Sequence, residues 1–519
     1  MKHRNPHVLK QKVKKSFFQF LFSRLTISAI LILIQVAMLV SALVLIRGRS
    51  IYVYRFFQVV SILLIIWLVR KPDNPAYKIA WIIVILLLSP FGSIFYLLWG
   101  NTPFNRSRLV KIQPIDITRI EQATPSATRE VCTRLPRHRR NCQYLHAIAE
   151  MPAWKNTATE FFPVGEYMFD SMLIELKKAK RFIFLEYFII ERGHMWNSIL
   201  DILQEKAAAG LDVRVMYDDV GCVSTLPLDY AKQLQGMGIR AVRFNRFVPM
   251  MNTYLNYRDH RKICVIDGNI GYTGGLNLAD EYINRRERFG HWKDTGVKLT
   301  GSGVANLTAL FLQLWDFSVG NITENIQDYL PTVQAPSDGY VQAFADSPLD
   351  SFNVSETVFM NIIAGATSSV YITSPYLTLD NEMITALCTA ARSGIDVRIV
   401  TPGIPDKKTV YAVTRSYYAQ LIRAGVRIYE YTPGFLHAKM IVADNDVAVV
   451  GTINMDFRSF YLHFECGTVF YRSSIVDKVR ADILDTIDKS QEIDEQWLAS
   501  YPWIKSIGAS LLSLFAPLM

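Results

Sequence analysis

The segment HRKICVIDGNIGYTGGLN occupies residues 260–277, and HAKMIVADNDVAVVGTIN occupies residues 437–454. Both carry the frame H-x-K-x4-D with glycine and asparagine at matching offsets. The first copy supplies His260, Lys262, Asp267 and Asn277, and the second His437, Lys439, Asp444 and Asn454. Their separation is far too long for a loop and suits a duplicated half. After each lysine the residues alternate as a strand does, so positions i and i+2 share a face. His260 is thereby set beside Lys262, and His437 beside Lys439.

The flanking sequence repeats as well. KRFIFLEYFII (180–190) matches SSVYITSPYL (368–377), AAAGLDVRVMYDD (207–219) matches AARSGIDVRIVTP (390–402), and GMGIRAVRF (236–244) matches RAGVRIYEY (423–431). Each half reads strand, helix, strand, helix, strand and then the motif. That order predicts a duplicated α/β sandwich with pseudo-two-fold symmetry and much parallel sheet. The copies diverge before the motif, where only the first carries RFVPMMNTYLNY (246–257), a stretch suited to core packing or to lining a lipid-entry groove.

An imidazole beside an ammonium is a poor metal site, because the cation repels another cation. It is a good phosphate site, since lysine is a compact donor to phosphate oxygens. No metal or other cofactor is expected. Asn277 and Asn454 can add amide donors. Two such faces around one phosphate allow covalent chemistry: one neutral histidine attacks phosphorus while the other, protonated, donates to the leaving oxygen. The two imidazoles need opposite protonation states, hence different surroundings. A single copy could not do this.

The formal charge of +10 admits an anionic partner such as lipid, nucleic acid or a phosphate-bearing substrate. The six cysteines include no CxxC pair, and Cys264 and Cys466 fall in strand-like runs, so they read as free thiols rather than a zinc or disulfide framework. A basic tail (1–24) precedes the uncharged run LTISAILILIQVAMLVSALVLI (25–46), which is long enough to cross a bilayer. Two further apolar runs follow at 56–69 and 79–100, the latter interrupted by Pro90 and Gly92. Residues 25–100 are therefore expected to form a membrane anchor of two or three transmembrane helices, with crossing number and side left open. The remaining expectations are a juxtamembrane linker (101–145), the two halves (146–325 and 326–490) and an apolar, interfacial C-terminal segment (491–519).

YRDHRKICVIDG, YTGGLNLADEY and FLHAKMIVADNDVAVVGTINMDFRSF resemble the bacterial cardiolipin synthases of the phospholipase D superfamily, and the resemblance covers nearly the whole chain. It implies metal-independent phosphatidyl transfer between two phosphatidylglycerol molecules, giving cardiolipin and glycerol. It implies His260 as nucleophile, His437 as general acid and then base, and Lys262, Lys439, Asn277 and Asn454 as phosphate holders. Asp267 and Asp444 complete the catalytic motif, with bracing of the turn after each strand as their expected work. Each imidazole also needs a carboxylate on its other nitrogen. Glu465 in LHFECG is the candidate for His437, and Asp294 in HWKDTGV the candidate for His260. The implied partners are phosphatidylglycerol and the bilayer, with no nucleic acid, and the implied place is the bacterial plasma membrane as a multi-pass protein. A phospholipase D hydrolase releasing phosphatidic acid and a non-catalytic lipid-binding scaffold are the alternatives.

Other residues carry plainer expectations. Glu186 either faces the site or starts a helix, and His291 and His463 read as loop or strand-face histidines. RLPRHRR (134–140) either is a solvated face or holds anionic headgroups, and NRRER (284–288) reads as a solvated face or, near a phosphate site, as a patch that steers anionic lipid.

Overall fold

The structure is a computed structural model that describes residues 51–88, 91–100, 126–247, 256–323, 325–337, 339–349 and 352–518, with scattered positions between 26 and 118. The basic tail, most of the run 25–46 and residues 248–255 of the stretch before the first motif lie outside the described residues.

Two sheets of matching topology form the body. The first is ordered Thr157–Phe162, Gly296–Gly301, Ile270–Gly274, Lys262–Ile266, Phe182–Tyr187, Asp212–Asp218, Arg240–Phe244. The second is ordered Tyr340–Asp346, His463–Tyr471, Val447–Gly451, Met440–Ala443, Ser369–Thr373, Asp396–Pro402, Arg427–Tyr431, with Ser490–Ile493 added at its edge. Phe182–Tyr187 is buried along its whole length, as a strand covered on both faces must be.

The parallel content is smaller than expected. In the first sheet only Phe182–Tyr187, Asp212–Asp218 and Arg240–Phe244 run parallel, and the other pairings are antiparallel. The reason is the motif itself, which closes into a hairpin rather than leading into a crossover helix. Asp267 and Gly268 take φ of 55° and 71°, and Asp444 and Asn445 take 54° and 55°. Two consecutive residues at positive φ make the turn that matches the right-handed twist of the flanking strands.

Helix Val304–Val319 is buried from Val304 to Leu312 and packs among strands of both halves, in a core that spans them, while a second core lies around Met172, Trp196 and Tyr217 of the first half. Within 101–145, expected to be linker, Ala127–Arg134 and Arg139–Ile148 are instead helices that bury Val131, Leu135, Cys142 and Leu145 in that core. The basic cluster stays largely at the surface, with Arg134, Arg137, Arg139 and Arg140 exposed, while His138 Nε2 lies 3.1 Å from Asp446 and Arg137 lies 3.7 Å from Asp444. All six cysteines are free, and only Cys132 is not buried.

At the N-terminal end, helices Ile51–Arg70, Pro75–Leu87 and Phe91–Trp99 pack together around Leu68, Trp81, Ile85 and Tyr96. Among the described residues no helix is long and apolar enough to cross a membrane, and most of the expected span 25–46 lies outside them.

Candidate active site

The two motif histidines are brought together by strand exchange between the halves. The short strand Arg258–Asp259, just before the first motif, pairs with His463–Phe464 of the second half, and the His260 N–H donates to the Phe464 carbonyl at 2.9 Å. Gly434–Leu436, just before the second motif, pairs with His291–Lys293 of the first half, and the His437 N–H donates to the Lys293 carbonyl at 2.7 Å.

This exchange reverses the expected carboxylate pairing. His260 Nδ1 lies 2.9 Å from Glu465 Oε1, and His437 Nδ1 lies 2.6 Å from Asp294 Oδ2. Glu465 therefore serves His260 and Asp294 serves His437, each from the opposite half. A fixed offset within one half could not reveal this, because the segment before each histidine joins the partner half's strand. Both carboxylates are fully buried. Each fixes its imidazole with the proton on Nδ1, so that Nε2 is the nitrogen left for chemistry.

The two lysines lie on the same strand face as their histidines. Lys262 Nζ donates to the His260 carbonyl at 2.6 Å, and Lys439 Nζ donates to the His437 carbonyl. Burial pulls the Lys262 ammonium down to about 8 and the Lys439 ammonium down to about 7. Buried cations without bound counter-charge are costly, which makes the site receptive to an anion.

Both imidazoles are also pushed down. Burial leads for His260, followed by the ammoniums of Lys262 and Lys439, and it ends well below the usual imidazole range. Burial and then Lys439 lower His437 to about 4, while the charge and hydrogen bond of Asp294 pull the other way. Both imidazoles are thus pushed towards the neutral form before substrate enters, and each has a buried carboxylate on its Nδ1.

The surroundings of the two histidines differ. Glu465 accepts from Ser459 Oγ at 2.7 Å and from Thr452, and His463 stands two residues before it on the same strand. The His463 ring lies 5.6 Å from that of His260, and its Nδ1 lies 3.7 Å from Glu465 Oε1, beyond hydrogen-bond range. Sequence reading set His463 aside as a strand-face residue, although its two-residue offset from Glu465 was the available signal. In the matching position before Asp294 stands Trp292, whose ring lies 5.3 Å from His437, with Tyr282 at 5.5 Å. His260 is flanked by Phe188, its ring 5.1 Å away, as well as by His463, whereas His437 is flanked by aromatic rings alone.

Asn277 is buried, accepts from the Ile189 N–H at 3.0 Å and donates to Tyr282 Oη at 2.7 Å. Asn454 is buried with an unpartnered Oδ1. Asp267 and Asp444 sit at the far end of the motif strands, about 16 Å from the lysines at about 3.3 Å per residue. Asp267 accepts from the N–H groups of Lys180, Arg181 and Phe182, and Asp444 from those of Thr367, Ser368 and Ser369. They brace the turns and cannot reach the phosphate; their inclusion among the catalytic candidates is corrected accordingly.

Glu186 lies inside a strand rather than at a helix start, and burial followed by Asp259 raises its carboxyl well above the usual range. His291 Nδ1 lies 3.1 Å from Tyr431 Oη, on the far side of its strand pairing. Within NRRER, Arg286 and Arg288 pair with Glu281, and Arg286 also with Glu191, so this face is internally neutralised.

Among the described residues, His260, His463 and Glu465 offer ligand atoms within 4.8 Å of one another, the spacing of a metal site. Glu465 is already engaged by three donors, and Lys262 and Lys439 oppose a cation there, so this donor set fits a metal poorly.

A family model described as the cardiolipin synthase, phospholipase D-like domain matches residues 172–315 and 359–486, one segment in each half. The chain belongs to this family. A second model, the N-terminal domain of phospholipase D-type nucleases, matches residues 59–101. An uncharacterized protein of Streptococcus mutans is 43% identical over 88% of this chain and 99% of its own length. The cardiolipin synthase of Geobacillus kaustophilus is 36% identical over 89% of this chain and 92% of its own. The phosphatidylserine synthase structure of Haemophilus influenzae shares the fold, with a TM-score of 0.55 at 18% identity over 74% of this chain and 98% of that one. Within the cardiolipin synthase family the chain is a phospholipid phosphatidyltransferase, and its two matched segments carry the two motifs described above.

Proposed function

We propose that the chain joins two phosphatidylglycerol molecules into cardiolipin at the inner face of the His260–His437 pair, releasing glycerol. The observation that carries this reading is the pair of neutral imidazoles, each held through Nδ1 by a carboxylate of the opposite half, with two buried ammoniums beside them.

The phosphodiester charge is met by Lys262 and Lys439, and the approach of that anion favours protonation of His437. The His260 Nε2 lone pair then attacks phosphorus. The bond from phosphorus to the glycerol oxygen breaks, and His437 Nε2–H gives its proton to that oxygen. Glycerol leaves and a second phosphatidylglycerol enters. Its hydroxyl proton passes to His437 Nε2, its oxygen bonds to phosphorus, and the P–N bond breaks to restore His260. Burial and the neighbouring ammoniums favour neutral imidazoles until the substrate's charge arrives, and the Asp294 charge suits a histidine that must accept a proton. Membrane residence is part of the same proposal: the substrate is a lipid, and the N-terminal and C-terminal helices present apolar surface.

The test uses purified full-length protein in micelles of labelled phosphatidylglycerol with EDTA present. Cardiolipin and glycerol in equal amounts from the wild type, and neither from His260→Ala or His437→Ala, support the reading. Phosphatidic acid with glycerol makes the enzyme a hydrolase instead, and no product from folded protein removes phosphatidylglycerol as donor.

A further inference from the structure

We infer that helices Pro75–Leu87 and Phe91–Trp99 form a re-entrant hairpin, which dips part-way into the bilayer and returns to the side that carries the catalytic halves. The inference rests on the membrane residence proposed above.

Four observations carry it. First, the chain reverses between the two helices. The rings of Trp81 and Tyr96 are 5.2 Å apart, whereas a continuous helix would separate them by about 22 Å at 1.5 Å per residue. Gly92 makes the reversal possible, since a Cβ there would lie 2.2 Å from the Val84 carbonyl oxygen.

Second, the entry to the hairpin is tied to the catalytic body. Asn74 caps the first helix through its Oδ1, while its Nδ2 donates to Asp380 at 3.1 Å and to Tyr461 Oη at 2.9 Å. Tyr461 closes the short helix that follows Asn454, so the hairpin's base abuts the segment bearing a site residue. Third, the return leg ends near that base. Ser61 and Ser93 are joined at 2.6 Å, and the Trp67 and Tyr96 rings at 6.2 Å, so the return leg runs alongside Ile51–Arg70 towards its Arg70 end, where the chain enters the 71–74 turn. Small hydroxyl residues at such a crossing let helices approach closely in an apolar medium.

Fourth, depth and surface agree. A helix of 13 residues reaches about 20 Å, short of a hydrocarbon core of about 30 Å. Its tip is apolar and open: Leu86, Leu87 and Leu88 are 63%, 76% and 48% exposed. The C-terminal helix Trp503–Ser513 also exposes Trp503, Ile504, Ile507 and Leu511, and Leu518 in the turn after it packs on the hairpin. Residues 71–74 and residue 100 then share one membrane side with the catalytic body.

Single cysteines placed in the full-length chain on a Cys132→Ser background, where the remaining native thiols are buried, test this. Pro72→Cys, Leu87→Cys and Asp201→Cys, none in the site, are labelled with a membrane-impermeant maleimide in sealed vesicles of both orientations, after a carbonate wash. The expected result is labelling of positions 72 and 201 from the same side, and of position 87 from neither side until detergent is added. Labelling of position 87 from the side opposite position 201 would show a full crossing and overturn the hairpin. Positions 72 and 201 labelled from opposite sides would overturn the shared side. Release of the protein by carbonate would instead remove membrane residence itself, a failure distinct from the other two.

Discussion

Glu465 Oε1 and His260 Nδ1 stand 2.9 Å apart, although one belongs to the second half and the other to the first. Asp294 and His437 repeat the exchange in the opposite sense. Neither half therefore holds a competent histidine alone, and the duplication is needed for orientation as well as for supplying two imidazoles.

Glu465→Gln keeps the shape but offers a neutral acceptor, or an N–H facing the Nδ1 proton, so the imidazole loses its fixed tautomer and its negative partner. A fall in kcat of roughly 10²–10⁴-fold is expected, the scale of general acid–base and orientation effects. Rapid-quench detection of labelled phosphoenzyme separates the two halves' roles. Glu465→Gln slows its formation, whereas Asp294→Asn also slows its breakdown, because His437 must accept the proton of the second alcohol. Equal phosphoenzyme kinetics in both variants would refute the division.

The ammoniums predict the alkaline limb of activity. Lys439 titrates at about 7 and Lys262 at about 8 in the free site, lowered by burial. Both are charged below those values, so kcat/KM is expected to fall as pH rises through about 7 to 8. Lys439→Arg keeps a charge at every accessible pH. Its limb should move up towards that of Lys262 while its plateau falls, because a guanidinium is too broad for the same cradle. An unmoved limb would assign the titration elsewhere.

Gly275 marks a tight point behind the second histidine. A Cβ there would lie 2.0 Å from Asp294 Oδ1. Gly275→Ala should displace the carboxylate and lower kcat by about 10-fold or more, as small misplacements of catalytic groups do. Thr452 occupies the corresponding place before Asn454, and there its hydroxyl bonds to Glu465. Thr452→Ala, which removes one of several donors, is expected to cost less. Comparing the two variants by kcat at unchanged Tm tests the asymmetry.

Much of this was legible because its signals are local. The alternation after Lys262 and Lys439, the Asp-Gly and Asp-Asn turns and the repeated βα order are all read within a dozen residues. The crossed carboxylates are not local: they depend on which strand Arg258–Asp259 and Gly434–Leu436 join, and that is set by packing between halves. The helix Ala127–Arg134 did carry a signal, since Ser126 caps it by accepting from the Arg129 N–H. The surrounding prolines and arginines outweighed it in the reading of a linker. His463 was passed over because a lone histidine on a strand is ordinary, and only its nearness to His260 makes it notable.

Asp444 separates stability from chemistry. Burial alone would raise its carboxyl, but the Ser369 N–H, the Thr367 and Ser368 hydroxyls and the Ser368 N–H outweigh burial and hold it at about 2. A carboxyl lowered in the folded state contributes stability that is present above its unfolded value near 4 and is lost as pH falls towards 2. Asp444→Ala should therefore lower Tm at pH 7 by several degrees, about 2–4 °C per kcal/mol for a body of this size, with about 2 kcal/mol lost when charge-assisted hydrogen bonds go. The loss should shrink in acid, as wild type and variant converge. Because the side chain lies a whole strand from the phosphate site, kcat of the folded variant at low temperature should stay within a few-fold of wild type. A collapse of kcat at unchanged Tm would return Asp444 to the catalytic set.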